Sequence, residues 1–433
     1  MRPNWRGSRA TVEVINNHGG RHMKTHGWVR QGAIAAATSV LAATLLAACS
    51  SGSSTTAPQG PINIGMVPDL TGPYSAIGLP DYKMAEMLVK LQNAKGGIGG
   101  RKINLIALDG QTSAATGLAN VKQLVQTDHI VALLGPDFTS TAEVVIPYLD
   151  QHHIPTLADL GGGNWTSPAP PYVFTTPESQ QAVDQDALGY MYLHGIKTLS
   201  WLDVQSGFGQ TGLVEFQKLA PQFGVTILPV QYETTSATDV LPQLERMKQQ
   251  HADAVMLYAS AATAVVNQLG AAQIGFSVPV FQSNAAALPQ FAQAAGSSAN
   301  GVYMVGGNLQ LAGSLPSSNP QAAAIHRFLG LYGSADRFAG DMYDATTLLF
   351  DAIKAVGPNS VKIDGWLNHD VKNYPGVTGV ITYTPNNHAG ILPGSLSMLR
   401  ITNGKFELVQ TGTSINQEVM SKCGSCLNGL PKP

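Results

Sequence analysis

The residues best placed to do chemistry lie in turns that follow short apolar runs. Gly135-Pro136-Asp137-Phe138-Thr139-Ser140-Thr141 comes directly after Ile130-Val131-Ala132-Leu133-Leu134 and leads into a segment with helical apolar spacing. A helix start offers free backbone N–H groups and the positive end of the helix dipole, which together suit an anion. Thr139, Ser140 and Thr141 add hydroxyl donors. Thr139 or Ser140 is also a natural N-cap, and one residue can do both. A second turn, Ala158-Asp159-Leu160-Gly161-Gly162-Gly163-Asn164-Trp165, follows the run Ile154–Leu157. Its glycines either let the backbone approach a ligand closely or make a flexible loop. Three more turns stand farther on: Asp203-Val204-Gln205-Ser206-Gly207-Phe208-Gly209, Ala259-Ser260-Ala261 and Gln282-Ser283-Asn284. Asp137, Asp159 and Asp203 could hold a ligand cation if they face a cleft; each could equally be a turn or cap residue. Tyr74, Phe138, Trp165 and Phe208 could wall such a cleft or belong to the core.

This is binding chemistry rather than catalysis. The chain has no G-x-S-x-G, no H-E-x-x-H and no phosphate-cradling G-x-x-x-x-G-K. His152 and His153 are adjacent, so they cannot share a helix face as ligands at i, i+4 would. Gly161-Gly162-Gly163 lacks the spacing of a dinucleotide fingerprint. Cys423-Gly424-Ser425-Cys426 has neither the strand and helix flanks of a redox site nor two further zinc ligands nearby. A small disulfide or two loose thiols is what remains. No metal, no cofactor and no enzyme activity are expected. With 25 Lys+Arg against 27 Asp+Glu the chain lacks the basic excess of a nucleic-acid binder. At 44% hydrophobic residues it is too apolar to be disordered.

The elements that must carry these turns alternate regularly. Strands are expected at Ile62–Val67, Ile103–Leu108, Ile130–Leu134 and Ile154–Leu157, with helices at Asp81–Ala94, Ala114–Thr127 and Thr139–Gln151. A second series follows: helix 178–194, strand Thr198–Leu202, helix 210–222, strand Val225–Val230, helix 239–250, strand Ala254–Tyr258, helix 262–274 and strand Val278–Phe281. Helices 319–332 and 338–356 return, with later strands near 377–383 and 395–409. Strands separated by helices make βαβ units and parallel sheets. The fold class is therefore α/β, with two doubly wound, Rossmann-like lobes. Ligands of such sheets sit beyond the carboxyl ends of the strands, and two lobes facing each other there make a cleft.

The N-terminus reads as a targeting segment. Gly32 to Ala48 is an uncharged run of 17 residues preceded by Lys24 and Arg30, shorter than a membrane span. It ends in Leu46-Ala47-Ala48-Cys49, which resembles the bacterial lipobox, where the Cys carries the lipid. Cys49 is the expected lipidation site, residues 1–48 the signal and 49–60 a Ser/Thr-rich tether. Met23 opens a signal of conventional length, and residues 1–22 read as an upstream start-site artefact.

An ordered set of motifs then points to a family. Asp69-Leu70-Thr71-Gly72-Pro73-Tyr74-Ser75-Ala76-Ile77-Gly78 follows the first strand, and Asn93-Ala94-Lys95-Gly96-Gly97-Ile98-Gly99-Gly100-Arg101-Lys102-Ile103 follows the first helix. Leu134-Gly135-Pro136 and Pro171-Tyr172-Val173-Phe174-Thr175-Thr176-Pro177 come next, then Phe208-Gly209, Gly301-Val302-Tyr303 and Tyr343-Asp344-Ala345. Together they resemble the type I periplasmic binding proteins of the branched-chain amino acid ABC importers, from about Ile62 to Ile391.

The resemblance implies two lobes joined by three hinge strands. Residues 61–177 and 306–392 would form the N-terminal lobe, 178–305 and 393–410 the C-terminal lobe, and 411–433 a tail. It implies a small-molecule ligand, an ABC permease as membrane partner, and an extracytoplasmic, lipid-anchored receptor; a sensor of the same fold is the alternative. It puts a carboxylate-binding hydroxyl at Thr139 and a head-group loop at Leu160 and Gly162, with Gly162 where Ser or Thr is usual. Phe208 keeps a ring without its hydroxyl, Ser260 stands where a ring is usual, and Asn284 stands where an acid pairs with the ligand ammonium. Ile77, Asp137, Phe138, Ser140 and Ser179 complete the expected site. With Asn284 in place of an acid, a small carboxylate or an amide fits as well as an amino acid.

Overall fold

The computed structural model of the protein describes residues 60–161, 169–391 and 394–430. The expected signal, Cys49, the tether, Gly162 and Trp165 lie outside the described residues. Among the described residues no helix is long and apolar enough to cross a membrane.

One sheet is wholly parallel, in the order Ala389–Ile391, Val173–Glu178, Thr156–Ala158, Ala132–Leu134, Ile62–Met66, Ile103–Ala107. Ile62 pairs with Ile103 on one side, while Met66 pairs with Leu134 on the other. Chain direction therefore switches sides at Ile62–Met66, which opens a crevice beyond its carboxyl end. Both faces are covered, as parallel sheets require. Helices Ser75–Ala94 and Arg337–Val356 pack on one face through Met84, Leu88, Leu348 and Leu349. Helices Ala114–Gln126 and Thr139–Gln151 cover the other through Val121, Leu124, Val145 and Leu149.

The second sheet runs Lys405–Thr411, Ser397–Thr402, Tyr303–Gly306, Val280–Gln282, Ala254–Tyr258, Thr198–Val204, Thr226–Ile227, with Gln231–Glu233 also pairing Thr198–Val204. Ser397–Thr402 runs antiparallel to both its neighbours, and the remaining pairings are parallel. The side switch here falls at Thr198–Val204. The chain passes between the sheets after Glu178, after Gly306 and after Ile391, so three connections link two doubly wound lobes.

Some elements differ from expectation. The first helix begins at Ser75 rather than Asp81 and runs through Pro80, which reads as a stop in sequence; Ile77 and Gly78 are buried in the added turn and hold it. The strand expected over Val225–Val230 shortens to Thr226–Ile227, and a separate short strand, Gln231–Glu233, follows it. Where a tail was expected, Gly412–Lys422 is a helix that buries Ile415, Asn416 and Val419 against helix Gln180–Leu193. Asn416 Nδ2 donates to buried Asp186 at 2.8 Å, and a disulfide joins Cys423 to Cys426 after the helix. The sequence signal was weak because only two apolar side chains, Ile415 and Val419, mark the buried face.

Candidate ligand-binding site

The carboxyl ends of both sheets meet at a small cavity of about 40 Å3 lined from both lobes. The first lobe supplies Tyr74, Ile77, Asp137, Thr139, Asp159, Leu160, Gly161, Arg337 and Phe338; the second supplies Phe208, Ser260, Asn284 and Ala285. That volume holds only a water or two, so entry of a ligand requires the lobes to part.

Local folding explains each position. Strand Ala132–Leu134 ends at the Gly135–Pro136 turn, and helix Thr139–Gln151 starts with Phe138 as N-cap and no side-chain cap. Thr139 is therefore free of the capping role and lies buried on the cavity wall. Phe138 turns away from the cavity and packs on Tyr74, ring centroids 4.6 Å apart. Ser140 sits at the rim, where its Oγ accepts the Gly207 N–H at 3.2 Å across the lobes. Ser206 caps helix Gly207–Leu219 and so places Phe208, whose ring stacks on Tyr258 at 4.9 Å. Ser260 precedes helix Ala261–Ile274, and its buried hydroxyl faces the Tyr74 phenol of the other lobe.

Of the residues expected from sequence, Ile77, Asp137, Thr139, Leu160, Phe208, Ser260 and Asn284 line the cavity. Phe138, Ser140 and Ser179 do not; Ser179 spends its hydroxyl accepting the Ala182 N–H at the head of helix Gln180–Leu193. Asp203 is buried but does not line the cavity, and it takes the Trp201 indole N–H at 3.0 Å. Sequence reasoning missed Gly161, Ala285, Arg337 and Phe338. Arg337 carried one signal: it opens a largely apolar helix with an acid, Asp341, four residues on.

The electrostatics are dominated by acids. Arg337 is buried and forked onto Glu178, with Nη1 to Oε1 at 3.0 Å and Nη2 to Oε2 at 3.1 Å, and it also reaches Asp341 at 3.3 Å. Asn284 Nδ2 donates to Glu178 Oε1 at 2.9 Å. Asp137 Oδ2 accepts the Asp69 N–H at 3.1 Å. Burial, then Asp69, pushes the Asp137 carboxyl well above the usual range. Burial, then Asp159, does the same to Asp81. Asp159 is pushed up to about 7 by burial, with Arg337 opposing. Burial also raises the Tyr74 phenol, while Ser206 and Ser260 of the other lobe oppose the shift. Among the described residues no cluster is arranged to hold a metal ion.

Two doubly wound lobes, three connections and an interlobe cavity at the sheet ends describe a ligand-binding protein of the two-lobed class. The periplasmic binding protein family profile matches residues 61–405, and the chain belongs to that family. An extracellular ligand-binding receptor from Rhodopseudomonas palustris HaA2 is 21% identical, covers 81% of this chain and all of its own, and superposes with a TM-score of 0.75. A branched-chain amino acid transporter substrate-binding protein from Streptococcus pneumoniae, solved with isoleucine, is 20% identical, with 81% and 99% coverage and a TM-score of 0.71. A solute-binding protein of an ABC transporter from R. palustris, solved with benzoate, is 18% identical, with 82% and 96% coverage and a TM-score of 0.69. At these identities the likeness speaks to the fold. No curated protein matches the chain by sequence.

Proposed function

We propose that the protein is an extracytoplasmic, lipid-anchored receptor that closes on one small solute and delivers it to an ABC importer. The observation that carries this reading is the cavity itself, walled by Asp137, Thr139 and Asp159 from one lobe and Phe208, Ser260 and Asn284 from the other. Contacts from both lobes favour the closed state, because a ligand shifts an equilibrium only through contacts it makes better in one state. A partner that reads the closed surface then senses occupancy. No chemistry is done on the ligand in this reading: among the described residues the cavity lining pairs no nucleophile with a base, and its acids meet one another and Arg337. The relatives solved with isoleucine and with benzoate support a small carboxylate, amide or amino acid as the first classes to try. The test is thermal denaturation of the purified protein against amino acids, small amides, carboxylates and amines. A ligand at 100 times its dissociation constant adds about 2.7 kcal/mol, a shift of degrees. If no small solute shifts the transition, the receptor reading fails.

A further inference from the structure

The cavity lining sets the hydroxyls of Tyr74, Thr139 and Ser260 beside three buried acceptor oxygens. Asp137 Oδ1, Asp159 Oδ2 and Asn284 Oδ1 have no hydrogen-bond donor, and their residues are 8%, 6% and 3% exposed. The nitrogen donors of the lining side chains are committed elsewhere. Asn284 gives its amide to Glu178, and Arg337, the one cationic side chain of the lining, is held by Glu178 and Asp341. That leaves Asp137 and Asp159, with Asp81 behind them, only Arg337 to offset their charge, and Arg337 is already shared with Glu178 and Asp341. The helix start at Thr139 offers N–H groups to an anion, but Asp137, two residues earlier, sets a carboxylate against that half charge. A ligand carboxylate would add acceptors to acceptors. A ligand with several N–H donors and a positive charge would complete them. Tyr74, Phe208 and Phe338 supply ring surface on which a cation also sits well.

We infer that the cleft takes a small organic cation, an amine or amidine whose N–H groups are met by Asp137, Asp159 and Asn284, and that no ligand carboxylate is needed. This rests on the receptor reading above and narrows its ligand class. Proton linkage supports it. Asp159 is surrounded by Asp81 on helix Ser75–Ala94, Asp137 beyond strand Ala132–Leu134, Glu178 at the end of its strand, and Arg337 and Asp341 on helix Arg337–Val356. With its carboxyl pushed up to about 7, it holds a proton near neutrality that an arriving cation displaces. Cation affinity should therefore rise about tenfold between pH 6 and pH 8.

The experiment compares matched probes on the full protein by thermal shift and calorimetry: benzamidine, benzamide and benzoate, then isobutylamine, valine and isovalerate. The expected result is stabilisation by benzamidine or isobutylamine, none by benzoate or isovalerate, and affinity that rises with pH. Asp137→Asn and Asp159→Asn should each weaken the cation at least tenfold. Their unliganded melting temperatures should hold or rise, since each replaces a buried ionisable carboxyl with a neutral amide, which separates lost binding from lost folding. If benzoate or isovalerate stabilises the protein, or valine alone does, the ligand class is wrong and the receptor reading stands. If none of the six does, the cation inference falls, and the receptor reading is decided by the wider panel.

Discussion

Glu178 uses both carboxylate oxygens to hold the Arg337 guanidinium, at 3.0 and 3.1 Å, while its Oε1 also accepts the Asn284 amide of the opposite lobe at 2.9 Å. Glu178 ends the strand from which the chain first crosses between lobes. One buried acid thus ties a first-lobe helix, a crossing strand and the second lobe together. Removing one partner of such a pair strands a buried charge. Arg337→Ala should cost about 3–5 kcal/mol. Arg337→Lys should recover only part of that, because a lysine cannot fork onto two oxygens. Urea unfolding of the three proteins checks both, and a loss below 1 kcal/mol for the alanine variant would show the network to be dispensable.

The same contact explains the residue at position 284. The resemblance to amino acid receptors sets an acid there, and an acid would face Glu178 acceptor to acceptor. Asn284 instead donates to Glu178. Asn284→Asp should therefore destabilise the unliganded protein by about 1–3 kcal/mol at neutral pH, with part of the loss recovered below pH 5 as the new carboxyl takes a proton. Melting curves at pH 5 and pH 7.5 measure the difference. Equal stability at both would mean that Glu178 does not sense the substitution.

Much of this was legible in the chain. The alternating strands and helices, the interlobe cleft and the turns at Asp137, Leu160, Phe208, Ser260 and Asn284 follow from apolar runs and the glycines and polar residues that end them. What was not legible depends on long-range contact. Ser179 and Phe138 lie next to the site in sequence, yet a cap bond and a ring contact with Tyr74 turn them aside. Arg337 lies 159 residues from Glu178, and no local pattern announces that they meet. The terminal helix was missed because its stability comes from packing on helix Gln180–Leu193 and from Asn416 meeting Asp186, not from propensity.

Stability should fall as pH rises from 5 to 8. Burial pushes Asp159, Asp186, Glu233 and Asp344 up to about 7, and lifts Asp81, Asp137, Asp184 and Asp341 well above the usual carboxylate range. In the unfolded chain such groups ionise near pH 4. Between those values the folded protein holds protons that the unfolded chain has lost, so raising pH favours unfolding. The lowered carboxyls of Asp109 and Asp253 matter only below about pH 4. His388, lowered by burial, works the other way below about pH 6.5, but it is one group against eight. A melting temperature that is several degrees higher at pH 5 than at pH 8, without ligand, is expected; the reverse order would mean that the acids are paired or solvated.

Gly78 is required by close approach rather than by its φ. A Cβ there would lie 2.4 to 2.6 Å from the backbone of Asp69, which cannot rotate away. Gly78→Ala should push helix Ser75–Ala94 off the Asp69 turn, at a cost of about 1–3 kcal/mol. Because Asp69 donates its N–H to Asp137, and Tyr74 and Ile77 line the cavity, ligand response should weaken with it. Wild-type binding in this variant would mean that the turn yields without disturbing the site.

Ser140 separates closure from ligand contact. It lies outside the cavity lining, and its Oγ accepts the Gly207 N–H from the other lobe. Ser140→Ala removes one bond that exists only when the lobes meet. A neutral hydrogen bond contributes about 1 kcal/mol, so ligand affinity should drop about fivefold through a shifted opening equilibrium. Global stability should change little, since each lobe keeps its own core. Two readouts decide the matter. X-ray scattering of the unliganded variant should give a larger radius of gyration than wild type, and calorimetry should give the weaker affinity. A weaker affinity with unchanged scattering would instead make Ser140 a direct ligand contact, as the sequence alone had suggested.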